Sequence, residues 1–271
     1  MTQDEILALA DRLIDAYDTS QSLAPLSDAL PQFDVAAAYD VLMEIHRRRR
    51  LQGWLPVGRK IGFTNNNLWR KYNVSGPLWA PVWHHTLAFA VGGQAHSIAG
   101  LVEPRIEPEI VVKLRGPVPT VFDAGAVLDS IEWIAPGFEF VQSHFPNWKF
   151  QAADCTAAFG LHGSLLVGPP IVISDLDHVS LGRALSTFSV RLQRGTELVD
   201  RGTGANVLGS PLHALVKLAQ LLSTRSDFPS LQPGEIVTTG TLTDAWPIAA
   251  GETWTATFGN LPINPLTVAV A

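Results

Sequence analysis

Glu107 and Glu109 stand two residues apart in the run Pro104-Arg105-Ile106-Glu107-Pro108-Glu109-Ile110. Side chains alternate faces along a strand, so in extended backbone these two carboxylates share a face. The continuation Ile110-Val111-Val112-Lys113-Leu114 is rich in β-branched residues and predicts a strand. Two carboxylates held side by side repel, and a hard divalent cation such as Mg²⁺ or Mn²⁺ offsets that repulsion with oxygen ligands. The alternative is a solvated strand face that happens to carry two acids.

Other residues widen the choice of chemistry. Gly137-Phe138-Glu139-Phe140-Val141 alternates as a strand and sets an acid between aromatics. Glu139 is costly to bury unpaired, so it is either a third ligand to the same cation or the partner of an arginine such as Arg105. Lys60 lies in Val57-Gly58-Arg59-Lys60-Ile61-Gly62, where the glycines suggest close approach to a ligand or a neighbouring backbone. An apolar, glycine-flanked strand makes Lys60 a candidate for proton transfer or anion binding. His162 is either a base or a structural histidine. Thr238, Thr239 and Thr241 around Gly240 offer hydroxyls and a backbone N–H suited to a carboxylate. His84-His85 invites a metal reading, but adjacent extended residues face opposite ways, which favours a loop. Arg47 to Arg50 reads as the cationic end of a helix rather than a nucleic-acid patch.

The chain that must position these groups has 271 residues, 46% of them hydrophobic and 16% charged, with a formal charge of −6. That composition supports a sizeable core and excludes electrostatic binding to nucleic acid or an anionic membrane. Cys155 is the single cysteine, so no internal disulfide and no thiolate metal cluster can form. The N-terminus shows no signal-peptide pattern, no apolar run reaches membrane-spanning length, and a cytoplasmic protein is expected. Helical periodicity covers residues 4–17 and Val35 to about Arg49, the latter capped by Asp34. Asp123 predicts a helix through Ile134, ended by Pro136. Strands are expected over Ser186 to Gln193 and Thr196 to Asp200, joined as a hairpin through Arg194-Gly195. Pro211 opens a helix to Leu222, and strands close the chain. Helices in front and strands behind argue for an α+β fold.

Five segments in this order, Gly58-Arg59-Lys60-Ile61-Gly62-Phe63-Thr64, Pro104 to Ile110, Pro136-Gly137-Phe138-Glu139-Phe140-Val141, Gly209-Ser210-Pro211-Leu212 and Gly234 to Gly240, resemble the 2-keto-4-pentenoate hydratase/4-oxalocrotonate decarboxylase family of the fumarylacetoacetate hydrolase-like superfamily. The resemblance implies an N-terminal helical lobe over residues 1–55 and a mixed β-roll catalytic domain over 56–271, usually in a homo-oligomer. It implies Mg²⁺ or Mn²⁺ on Glu107, Glu109 and Glu139, with Lys60 at the reacting centre and His162 in a polar role. Arg59, Gly240 and Thr241 would hold a small 2-keto or 2-hydroxydienoic acid. The implied reaction is hydration of a 2-hydroxy-2,4-dienoate in aromatic catabolism. The alternatives are decarboxylation of a 4-oxalocrotonate-like keto acid and a binding partner that has lost catalysis; cleavage of an acylpyruvate ranks below them. Ser75 to Ala80 lacks an acid the family often carries, Leu161 stands where a serine is common, and Ala158-Phe159 replaces an Asp-Asn pair.

Overall fold

A computed structural model describes residues 1–92 and 95–271. The chain runs through α1 (Gln3–Thr19), α2 (Leu26–Ala29), α3 (Val35–Leu51), β1 (Pro56–Gly62), α4 (Trp69–Tyr72), β2 (Leu78–Trp83), β3 (Leu87–Phe89) and β4 (Arg105–Leu114). It continues through α5 (Ala124–Asp129), β5 (Ile131–Val141), α6 (Ala152–Ala157), β6 (His162–Val167), β7 (Ile171–Val172) and α7 (His178–Thr187). It ends with β8 (Ser189–Arg194), β9 (Glu197–Thr203), α8 (Pro211–Leu222), β10 (Ile236–Thr238), β11 (Trp246–Pro247), β12 (Thr253–Gly259) and β13 (Leu266–Ala269).

Side-chain caps open both long helices of the front, the one at Asp34 as expected. Thr2 and Glu5 bond reciprocally at the start of α1, and Asp34 Oδ1 accepts from Ala37 N at 2.8 Å to open α3. The arginines at the end of α3 are engaged within the fold. Arg47 and Arg48 pair with Glu44, Arg48 also with Asp11, and Arg49 lies buried against Asp18. Apolar residues of α1 and α3, among them Leu13, Val41 and Ile45, pack in one buried cluster with Phe145, Phe159 and Leu161, so the lobe seals one side of the sheet region.

The main sheet is mixed, in the order β2-β1-β10-β4-β5-β6-β3, with β11 also on β4 and β7 also on β5. β1 and β10 are parallel, as are β3 and β6. A smaller antiparallel sheet runs β13-β12-β8-β9. Two prolines sit inside long strands because each falls at a gap between partners. Pro108 lies on β4 between the stretch paired with β10 and the stretch paired with β11. Pro136 lies on β5 between the stretches paired with β7 and β6. A missing backbone donor is tolerated there.

Two expectations need correction. The helix from Asp123 stops at Asp129, and Ile131 onward is strand, because Ile131, Trp133, Ile134 and Ala135 are buried on both faces of a sheet rather than on one helical stripe. Ser186 and Thr187 close α7, which Asp177 caps, so β8 begins only at Ser189 and the turn is Gly195-Thr196.

Gly58 explains one of the strand glycines. A Cβ there would lie 1.8 Å from the carbonyl oxygen of Ile236, across the β1–β10 contact. Gly58→Ala is expected to destabilise the fold by about 3 kcal/mol, read as a lowered midpoint in urea unfolding.

Candidate metal centre

β4 and β5 pair in a register that sets Glu107 opposite Glu139 and Glu109 opposite Gly137. One oxygen from each of Glu107, Glu109 and Glu139 lies within 4.8 Å of the others. Glu109 and Glu139 are fully buried and Glu107 is half-buried. The loop between β10 and β11 crosses the Pro108 gap, where Leu242 N donates to Pro108 O at 3.0 Å and Thr239 N to Ile110 O at 3.2 Å. That crossing brings Gly240 N–H to Glu109 Oε2 at 2.6 Å, and the Thr238 hydroxyl donates to the same oxygen. The other oxygen of this buried carboxylate, Oε1, has no hydrogen-bond partner among the described residues. An unpaired buried carboxylate oxygen is expensive, and a cation facing it removes the cost. Three hard oxygen ligands converging in this way fit Mg²⁺ or Mn²⁺.

Lys60 Nζ lies 3.0 Å from Glu139 Oε1, on the same side of the sheet. Its stem runs between small residues. A Cβ on Gly62 would come within 3.3 Å of Lys60 Cε, and one on Gly160 within 2.7 Å of Ala80 Cβ. His162 Nδ1 also meets Glu139 Oε1, at 2.8 Å, while its Nε2 lies 2.9 Å from Thr86 Oγ1. Thr86 in turn is held by Trp83. Glu139 Oε1 thus meets both the Lys60 ammonium and the His162 ring, whose other nitrogen is held by Thr86.

The electrostatics follow from three acids facing one ammonium. Burial, then the charge of Glu139, pushes the Glu107 carboxyl up to about 8. Burial, with Glu139 and Glu107 beside it, raises Glu109 well above the usual carboxylate range. Burial also works against ionisation of Glu139, but Lys60 and His162 outweigh it and hold this carboxyl at about 2. For Lys60 burial opposes the charge, yet Glu139, Glu107 and Glu109 together keep the ammonium above its ordinary range. Lys60 is therefore a cation in this setting, an acid or anion holder rather than a free base.

These shifts predict linked protons and metal. Glu107 is protonated below about pH 8 in the metal-free protein and must ionise to ligate. Metal affinity should rise between pH 5 and 8, with about one proton or more released per ion, measured by calorimetry in buffers of different ionisation enthalpy. The sign for stability follows from a raised carboxyl. Its contribution is whole below the ordinary value of 4.5 and is lost as pH rises through about 8. The metal-free protein should lose thermal stability over that window relative to the metal-loaded one.

A small cavity adjoins the triad, and Lys60, Tyr72, Glu107, Thr241, Gly62 and Leu161 are among its lining residues. The remaining wall is mostly apolar, from Phe63, Leu68, Val141, Trp148 and Ala245. Of the residues expected to form the site, Glu107, Glu109, Glu139, Lys60 and Thr241 come together. Arg59 does not. It is adjacent to Lys60 on β1 and faces the other way, with its guanidinium near Glu235 and Pro229 and over Trp79. Gly240 does not offer a free N–H, since that donor orients Glu109. Its φ of +102°, and the 1.8 Å between a built Cβ and Thr64 Oγ1, explain the glycine. His162 is bonded to Glu139 and does not line the cavity, so it acts through that carboxylate. Arg105, weighed as a partner for Glu139, instead donates from Nη1 to Tyr72 Oη at 2.8 Å. Sequence reasoning missed Tyr72 and Trp148 as cavity residues, although clustered aromatics were the available signal.

The model for the fumarylacetoacetate (FAA) hydrolase C-terminal family matches residues 81–269. A 4-oxalocrotonate decarboxylase of Pseudomonas sp. is 29% identical, with 96% of each chain covered. A 2-keto-4-pentenoate hydratase of Dechloromonas aromatica is 32% identical, with 90% of each chain covered. The structure of 4-oxalocrotonate decarboxylase from Pseudomonas putida, complexed with magnesium and adipate, superposes with a TM-score of 0.89 at 27% identity, covering 100% of this chain and 99% of that one. The matched stretch includes all three carboxylates of the triad, and the chain belongs to the fumarylacetoacetate hydrolase C-terminal family.

Proposed function

We propose that this chain is a divalent-metal-dependent lyase acting on a small 2-keto acid through its enolate, and that its reaction is hydration of a 2-hydroxy-2,4-dienoate. The observation that carries this reading is the convergence of Glu107, Glu109 and Glu139 beside a charged Lys60 at the wall of a largely apolar cavity. A divalent ion bound by the three carboxylates supplies Lewis acidity to a 2-keto oxygen. Lys60, held against Glu139, is placed to hand a proton to the substrate carbon that must be protonated on ketonisation. The apolar wall excludes bulk water and strengthens these charges. The hydratase among the relatives, at 32% identity over nine-tenths of the chain, supports the reaction class.

A second reading, decarboxylation of a vinylogous keto acid, is favoured by one feature. Leu161 presents a hydrocarbon side chain to the cavity, and decarboxylation needs no polar group there to position a water. The magnesium and adipate of the solved relative, a decarboxylase, support the same chemistry of head and tail. Purified protein with Mg²⁺ should bleach the ultraviolet absorbance of 2-hydroxypenta-2,4-dienoate if it is a hydratase. Release of CO₂ from 4-oxalocrotonate, with the dienoate left untouched, would assign the decarboxylase instead. No turnover of either compound, with oxalate bound, would leave a keto-acid-binding protein.

No helix among the described residues is long and apolar enough to cross a membrane. A cytoplasmic homo-oligomer belongs to the proposal, and light scattering of the purified protein tests the assembly.

A further inference from the structure

The pairing of β5 with β6 is irregular close to Glu139. Glu139 stands opposite Leu165 and Phe140 opposite Ser164, but Val141 stands opposite His162, so Gly163 is an extra residue on β6. In unbroken register Gly163 would oppose Val141, and His162 would fall on the other side of the sheet. The bulge re-aims His162 to the side that carries Glu139 and Val141. The extra residue has to be glycine, because a Cβ there would lie 2.6 Å from the Phe140 carbonyl oxygen.

Once turned, the buried ring is held at both nitrogens. Nδ1 lies 2.8 Å from Glu139 Oε1, and Nε2 lies 2.9 Å from Thr86 Oγ1. Thr86 is itself fixed in place. Its N–H donates to Trp83 O at 3.0 Å, and Leu165 N–H donates to Thr86 O at 2.7 Å. A carboxylate only accepts, so Nδ1 carries a proton, and in a neutral ring Nε2 then accepts from the Thr86 hydroxyl. Lys60 Nζ reaches the same oxygen of Glu139 at 3.0 Å, so two donors fill Oε1. Glu109 repeats the pattern with its oxygens exchanged. Gly240 N–H and the Thr238 hydroxyl both go to Oε2, and Oε1 has no partner among the described residues. In each of these buried carboxylates the protein occupies one oxygen with two donors.

We propose that Thr86 and His162 are positioning residues for the metal centre: the Thr86 hydroxyl fixes the Nδ1–H tautomer of His162, and that N–H holds Oε1 of Glu139 so that Oε2 is the oxygen offered to the ion. This assignment rests on the metal-binding part of the proposed function. It goes beyond that reading by naming which oxygen Glu139 offers and what sets the choice. The opposite tautomer would aim a lone pair at a carboxylate oxygen, and Glu139 would keep only Lys60 as a donor. Groups that orient a ligand in this way act on the affinity for the ion.

The test uses the full-length protein and two readouts. Nitrogen-15 spectra of the histidine side chains in the metal-free wild-type protein should show His162, identified by its loss in His162→Asn, as the neutral Nδ1–H tautomer. Thr86→Val keeps the branched shape and loses the hydroxyl. That signal should then move toward a mixture of tautomers, and Mg²⁺ affinity measured by calorimetry should fall about 10-fold. Thr86→Ser should restore both. His162→Asn sets an amide N–H near the place of Nδ1–H and needs nothing from Thr86. Adding Thr86→Val to it should therefore cost less than about twofold. A wild-type ring protonated on Nε2 would overturn the assignment. So would unchanged affinity in Thr86→Val, or an equal loss from Thr86→Val with and without His162→Asn, which would mark Thr86 as a packing residue; each leaves the triad standing. Failure of the wild-type protein to bind Mg²⁺ would overturn the triad and this assignment with it.

Discussion

Glu109→Gln should lower affinity for Mg²⁺ or Mn²⁺ by more than about 100-fold, the upper end of what loss of an outer supporting group alone costs. The geometry leaves the amide little choice. Glu109 Oε2 accepts from Gly240 N–H and from the Thr238 hydroxyl, so the amide oxygen must take that position. The NH₂ then occupies the place of Oε1, the oxygen with no protein partner, and points a donor at the cation. Activity dependent on the ion should fall with it. Stability should move the other way. In the metal-free protein Glu109 is pushed well above its ordinary range by burial and two neighbouring acids, and glutamine resembles the protonated acid without its ionisation. The variant should melt at a higher temperature than metal-free wild-type protein at pH 8, and at a lower one once Mg²⁺ is present. Calorimetric metal titration and paired melting curves check both halves. Undiminished metal affinity would remove the basis for the triad.

Lys60→Met should separate chemistry from metal binding. The ammonium has Glu139 as its ion-pair partner at 3.0 Å, and its charge opposes that of any cation in the triad. Removing it should leave Mg²⁺ affinity unchanged or tighter, while kcat falls by about 100- to 10,000-fold, the usual range for a positioned proton donor. Methionine fills nearly the same volume between Gly62, Ala80 and Gly160, so the fold should persist. A variant that kept its kcat would exclude Lys60 from proton transfer. Arginine is a poorer substitute despite its charge, because the guanidinium fork is wider than the slot those small residues leave.

Much of this site is legible along the chain because its central pair is local. Glu107 and Glu109 share a face by strand period alone, and no distant residue can alter that. The same rule separates Arg59 from Lys60. Adjacent strand residues face apart, so assigning both to one site conflicts with the period that placed the glutamates, and the structure sends Arg59 to Glu235. The cap at Asp34 and the proline opening α8 were readable for the same local reason. The helix expected through Ile134 failed because a run buried on both faces of a sheet has the density of apolar residues that a helix stripe also has.

Sequence by itself determined the fold class, the paired carboxylates, the lysine between its glycines and the ends of the main helices, all of which rest on contacts within a few residues. Tertiary structure alone decided that Glu139 stands opposite Glu107, that Gly240 N–H serves Glu109, that His162 meets Glu139 and that Arg105 turns to Tyr72. Those relations depend on the register between strands and on where a loop crosses a proline gap. Register is set by the packing of whole faces against one another, a property distributed over the sheet and carried by no short segment of it.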